Sequence, residues 1–162
     1  MIDFLQALQD SAFGVWVSTS PSILAYPTIL ALHTVGLAMV VGPNAVLNLR
    51  VLGVGASLPL GTLRSVFTVM AVGFVINAST GLALFVSEAT EKGVAWIFWV
   101  KLATIAVALV VASRMRLAIF GASESTLDPQ RALPTRVRAL AWASFALWLG
   151  AIFAGRLMAY VR

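Results

Sequence analysis

The chain has 162 residues, of which 60% are hydrophobic and 10% charged, whereas a soluble domain carries about 25% charge. Its mean hydropathy of +0.97 excludes an ordinary soluble fold and indicates one membrane domain over residues 1–162. The absence of cysteine excludes disulfides, thiolate metal sites and haem attached through a Cys-x-x-Cys-His motif. The basic residues flank hydrophobic segments, so the net charge of +5 reflects topology, and we expect no nucleic-acid partner.

The first twenty residues have the pattern of an amphipathic helix. Leu5, Leu8 and Ala12 recur at helical spacing, while Asp3 and Asp10 lie on the other side. A short helix of this kind lies in the plane of the membrane interface. The sequence therefore predicts an interfacial helix over residues 1–20, and the alternative is a disordered tail.

Four long apolar segments follow, and each is long enough to cross a hydrocarbon core of roughly 30 Å. They cover residues 23–49, 66–87, 95–112 and 137–161. The connection after the third segment is polar, and its Asp128 and Pro129 are typical of a loop. The predicted fold is an all-α integral membrane protein, a bundle of four transmembrane helices with a short interfacial helix at its N-terminus.

Arginine is concentrated in the first and third connections, for example at Arg50, Arg64, Arg131 and Arg136. The N-terminal segment has no lysine or arginine, and the second connection has only Lys92. Because short loops rich in Lys and Arg stay on the cytoplasmic side, we expect both termini to face away from the cytoplasm.

Each spanning segment carries one strongly polar side chain in its outer half. At 1.5 Å per residue, His33 and Asn77 lie roughly 15 Å deep, Lys101 roughly 9 Å and Arg156 roughly 7 Å. All six carboxylates lie outside the spanning segments, so neither cation has an acidic partner at depth. We expect both cations to share one pocket that accepts an anionic ligand. The alternative is that each long side chain extends separately to the membrane surface.

His33 is the only histidine, and a buried imidazole can ligate haem iron while its other nitrogen donates a hydrogen bond. In this hypothesis His33 is the metal ligand of haem b and Asn77 orients it. Gly36, on the same face, lets a flat macrocycle approach the backbone, and Lys101 and Arg156 pair with the propionates. A bis-histidine haem would need His33 of a second copy.

The alternative for His33 is a structural one, in which a neutral imidazole donates one hydrogen bond to Asn77, Thr34 or a carbonyl of a neighbouring helix.

Three functions are compatible with the sequence. The first is a haem-binding protein that carries electrons near the outer face. The second is a cofactor-free accessory or structural subunit, whose small-residue faces, such as that of Gly73 and Gly81, pack in a homo-oligomer or a larger membrane complex. The third is a binder of an anionic lipid or quinone that uses the same cations. Hydrolytic motifs are absent, so any catalysis would be limited to a redox role.

The stretch "SPSILAYPTILALHTVGLAMVVGPNAVLNLRVLG" resembles the N-terminal signature of a family of uncharacterised bacterial inner-membrane proteins. The matching positions are Tyr26-Pro27, His33 with Gly36, Val41-Gly42, and Asn48 to Gly53; "FWVKLA" around Lys101 is similar to the family's third helix. Asn48 replaces the family's usual Asp, and "VVASRMR" lacks a second histidine that members carry there. The resemblance implies the same fold and an inner-membrane location, and no particular reaction.

Overall fold

The structure is a computed structural model that describes residues 1–55, 57–121, 133–158 and 160, apart from the side chains of residues 60 and 62. Within these ranges the chain forms seven α-helices, a short 3₁₀ turn at Leu60–Leu63 and no strand. The helices are α1 (Ile2–Gln9), α2 (Ala12–Thr19), α3 (Tyr26–Leu52), α4 (Arg64–Val86), α5 (Ala89–Val94), α6 (Trp96–Phe120) and α7 (Thr135–Leu157). Helices α3, α4, α6 and α7 are long and apolar enough to cross a membrane. The predicted all-α four-helix membrane bundle is confirmed.

The helix ends differ from the predicted spans, most of all in the third. Its predicted end was residue 112, yet α6 continues to Phe120. Met115 and Ile119 are buried on the bundle side, so the helix goes on packing while Arg114 and Arg116 remain exposed. The predicted end of the fourth span at residue 161, and most of the polar third connection, lie outside the described residues.

The N-terminal segment is not one helix over residues 1–20, as predicted, but the two short helices α1 and α2. The hydroxyl of Ser11 donates to the Leu8 carbonyl at 2.7 Å and accepts from the Gly14 amide at 3.2 Å, so it ends one helix and begins the next. Helix α1 is held on α5, because the Gln9 side-chain oxygen accepts bonds from the amide (3.0 Å) and hydroxyl (2.7 Å) of Thr90.

The four long helices pack in the order α4, α3, α7, α6, with the closest contacts between successive members of this row. Two buried apolar clusters lie between them. One, towards the C-terminal end of α3, consists of Leu47, Val51, Leu63, Met115, Ile119, Val137 and Ala141; the other consists of Val40, Ala108 and Trp148.

A polar contact lies at the junction of these clusters. Asn44 Oδ1 accepts a hydrogen bond from Asn48 Nδ2 at 2.8 Å and one from Ser144 Oγ at 3.0 Å. All three residues are buried. The second bond joins α3 to α7, and a buried polar pair of this kind fixes the register of two helices in an apolar medium.

Helices α3 and α4 approach each other most closely at two glycines. A Cβ atom on Gly36 would lie 2.7 Å from the Asn77 amide nitrogen, and one on Gly73 would lie 2.5 Å from Met39 Cβ. Only the absence of a side chain permits this backbone contact. Gly81, the next small residue of the same face of α4, faces the His33 ring, where an added Cβ would lie 3.0 Å from Cε1.

We expect Gly36→Ala to lower the free energy of unfolding by about 1–3 kcal/mol, because the new methyl group forces the two helices apart. The matched control is Gly150→Ala in α7, where a Cβ would meet only Thr104 Cγ2 at 3.8 Å. That change should be neutral or stabilise the helix by up to about 1 kcal/mol. Equilibrium unfolding in mixed micelles measures both, and equal stabilities for the two variants would contradict the close crossing.

Candidate functional site

At the end of the bundle that carries α1 and α5, the four spanning helices line a cavity of about 310 Å³, within the range of small-ligand sites. Four of the five candidate residues line it, one from each helix: His33, Asn77, Lys101 and Arg156. The remaining lining is mostly apolar and consists of Thr34, Leu37, Val40, Phe74, Ile105, Trp148, Ala151, Ile152 and Gly155.

His33 is bound to α4 through its ring and its backbone. Its Nδ1 lies 3.0 Å from the Asn77 carbonyl oxygen and 3.2 Å from Thr80 Oγ1. Since a carbonyl only accepts, Nδ1 carries the hydrogen and donates it. In return, Asn77 Nδ2 donates to the His33 carbonyl at 2.8 Å. The reciprocal pair lies one turn from the Gly36–Gly73 contact and depends on the backbone distance set there.

The hydrogen bond from His33 to the Asn77 carbonyl corresponds to the structural alternative in which a neighbouring helix supplies the acceptor. Thr34 does not take part, because its hydroxyl donates to the Leu30 carbonyl at 3.0 Å. The other ring nitrogen, Nε2, has one hydrogen-bonding neighbour in the described part of the chain, Asn77 Nδ2 at 3.4 Å.

Lys101 and Arg156 both line the cavity, and the Arg156 side chain is also exposed. That their charged ends share one pocket stays a prediction. The ammonium end of Lys101 lies beside Gly155, 3.5 Å from the position of an added Cβ. The Arg156 guanidinium lies 5.8 Å from the ring centre of Tyr160. Within the described ranges neither cation forms an ion pair; the salt bridge found there joins Lys92 to Glu88 at 2.8 Å.

Trp148 is a site residue that the sequence analysis did not select. Its side chain lines the cavity, is 4% exposed, and its Nε1 has no hydrogen-bond partner within the described residues. An indole N–H can only donate, and leaving a buried donor unpaired costs about 1–3 kcal/mol. The spacing on α7 could have indicated this residue, because Trp148 lies about two turns before Arg156, with Ile152 between them, and all three line the cavity.

Gly36 does not line the cavity. The space over it, which the haem hypothesis gave to a macrocycle, is filled by the backbone of α4 at Gly73 and Asn77. Gly36 therefore serves helix packing in this structure. Among the described residues no three His, Cys, Asp or Glu side chains converge on one point. A haem held by one axial histidine does not need such a group.

Comparisons with models of protein families, with curated proteins and with solved structures give no match. The resemblance of the His33 segment to a family of inner-membrane proteins therefore stays a prediction.

Proposed function

We propose that this protein binds, within the membrane, a small amphiphile whose head is an oxygen acceptor, namely an anionic lipid or a quinone. The observation that carries the proposal is the pair of cations, Lys101 and Arg156, that line one cavity without an ion-pair partner among the described residues. Both side chains carry hydrogen-bond donors and no acceptor. No carboxylate lies in the spanning helices to neutralise the cations.

A bound oxyanion would satisfy several requirements at once. It would accept charge-assisted hydrogen bonds from Lys101 and Arg156, each contributing about 1.5–3 kcal/mol. It would also offset the cost of holding cations within the membrane. A quinone carbonyl would accept from the same donors with less charge compensation, so the two cations favour the anion.

The His33–Asn77 pair holds one wall of the cavity rather than supplying charge. It ties α3 to α4 at the level of Lys101, and its hydrogen bonds fix the orientation of the imidazole ring. Leu37, Phe74 and Ile105 supply apolar surface around the polar groups, a combination suited to a head with an apolar tail.

The location proposed for this protein is the bacterial inner membrane, with both termini and the cavity on the outer side. The support is the distribution of arginine: the connections at the opposite end carry or adjoin Arg50, Arg64, Arg114, Arg116 and Arg136. Positive residues of short loops remain in the cytoplasm.

Binding of radiolabelled oleate and of a short-chain ubiquinone analogue to the purified protein in detergent tests the proposal. We expect Lys101→Gln and Arg156→Gln each to weaken oleate binding at least about tenfold, the effect of losing one charge-assisted hydrogen bond.

Lys92→Gln is the matched control, since Lys92 lies at the same end of the bundle but pairs with Glu88 outside the cavity. It should change affinity less than about twofold. A larger effect of the cation variants on oleate than on the quinone would identify an anionic lipid, and the reverse would identify a quinone. Unchanged binding of both ligands in Lys101→Gln and Arg156→Gln would contradict the proposal.

Haem b is the second candidate, favoured by one observation. The Asn77 carbonyl holds the proton of His33 on Nδ1, which leaves Nε2 as the nitrogen able to ligate a metal, an arrangement common among metal-binding histidines. Lys101 and Arg156 would then pair with propionates. The packing of Gly36 against α4 limits the space for a macrocycle on that side.

If haem binds, the protein expressed with ample haem should show a Soret band that His33→Ala abolishes while the far-ultraviolet circular dichroism stays the same. A colourless protein that gives no spectral change on adding hemin would contradict haem binding. If oleate and quinone binding also fail, the cofactor-free accessory subunit becomes the favoured function.

A further inference from the structure

A second candidate site lies at the opposite end of the bundle, between α4 and α6. These helices stand at the two ends of the row of close helix pairs, so a crevice remains between them. We call it the arginine crevice; its volume is about 400 Å³, and it is lined by Arg64, Ser113, Arg116, Leu117, Phe120 and Gly121.

Reciprocal ring contacts hold the two guanidinium groups of the crevice. Arg64 of α4 lies 5.8 Å from the ring centre of Phe120 of α6, and Arg116 of α6 lies 5.8 Å from the ring centre of Phe67 of α4. The two rings pack edge to face, with centres 5.8 Å apart. Both distances between cation and ring are within the range of attraction, so each helix positions the cation of the other.

Neither guanidinium has a hydrogen-bond or ion-pair partner in the part of the chain that the structure describes. Ring contacts orient a guanidinium but leave its N–H donors free, and Arg binds phosphate oxygens through two parallel bonds. Two such groups at one crevice match the charge and the several oxygens of a phosphate.

An apolar groove continues from the arginine crevice into the bundle. Its volume is about 210 Å³; Arg116 and Ser113 line both spaces, and the other lining residues are Val40, Phe67, Met70, Ala71, Phe74, Leu109 and Ala112. A soluble phosphate would leave this groove empty. An acyl chain attached to the phosphate would fill it.

We propose that the crevice between α4 and α6 binds an anionic phospholipid, with its phosphate between Arg64 and Arg116 and one acyl chain in the apolar groove. Basic pockets between spanning helices recognise anionic headgroups in this way. The arginine crevice shares no lining residue with the cavity at His33, although the groove meets that cavity at Val40 and Phe74. The proposal does not depend on the function proposed for that cavity.

Native mass spectrometry of the detergent-purified protein with dioleoyl phosphatidylglycerol or dioleoyl phosphatidylcholine tests the proposal. We expect retention of phosphatidylglycerol over phosphatidylcholine, and at least about a tenfold loss of affinity for it in Arg64→Gln and Arg116→Gln. Arg114→Gln, a neighbouring exposed arginine that lines neither space, should stay within about twofold of the parent. Gel filtration checks that each variant keeps its fold.

Ala71→Phe tests the groove without touching the arginines. It should reduce phosphatidylglycerol binding because the new ring occupies the path of the acyl chain. If Ala71→Phe has no effect and excess inorganic phosphate displaces the lipid, the crevice binds soluble phosphate and the lipid assignment is overturned. Equal losses of phosphatidylglycerol affinity in Arg114→Gln and Arg116→Gln would show that binding depends only on general surface charge, and would overturn the proposed site.

Lys101→Gln separates this inference from the function proposed for the other end. In that background, Arg116→Gln should still remove phosphatidylglycerol, whatever becomes of oleate binding. Loss of the Arg116 effect when Lys101 is replaced would mean that the two sites are one and would overturn the inference.

Discussion

The backbone contact between α3 and α4 at Gly36 and Gly73 is the constraint on which the candidate site depends. Side chains at these positions would separate the helices, because their Cβ atoms would fall within 3 Å of the facing helix. At this distance the His33 imidazole reaches the Asn77 carbonyl, and the Asn77 amide reaches the His33 carbonyl. In an apolar medium such bonds have little competition from water, and they hold the wall of the cavity at the depth of Lys101 and Arg156.

The cations at the two ends of the bundle have different surroundings. At the His33 end, Lys101 and Arg156 line a cavity and have no ion-pair partner among the described residues. At the other end, cations face a crevice between two helices that do not pack closely. We propose both as binding sites for anionic oxygen, because the described residues supply cations there and no carboxylate.

Much of the fold follows from hydropathy alone, because a spanning helix has a length set by the bilayer. The placement of His33, Asn77, Lys101 and Arg156 in the same half of the bundle follows as well, since the rise per residue turns position into depth. Rotation does not follow: α3 is apolar nearly all round, so its sequence does not indicate which face meets α4. For that reason the sequence allows a macrocycle over Gly36, whereas in the structure α4 occupies that space.

Three further features depend on tertiary contacts that a single sequence does not display. The break at Ser11 comes from local capping bonds and from the attachment of Gln9 to α5. The length of α6 comes from the burial of Met115 and Ile119 beyond its basic residues. Trp148 looked like one more apolar side chain, because only its neighbours determine whether its N–H has an acceptor.

The nitrogen-15 spectrum of the imidazole tests the central claim most directly. Since His33 is the only histidine in the chain, a sample labelled with nitrogen-15 on histidine and carbon-13 on the asparagine carbonyls, reconstituted in bilayers, gives its ring signals without ambiguity. The bond to the Asn77 carbonyl predicts a protonated Nδ1 and an unprotonated Nε2, with magnetisation transfer from the Nδ1 proton to the Asn77 carbonyl carbon. A proton on Nε2 with none on Nδ1, or two protonated nitrogens without that transfer, would contradict the helix contact around which the site is built.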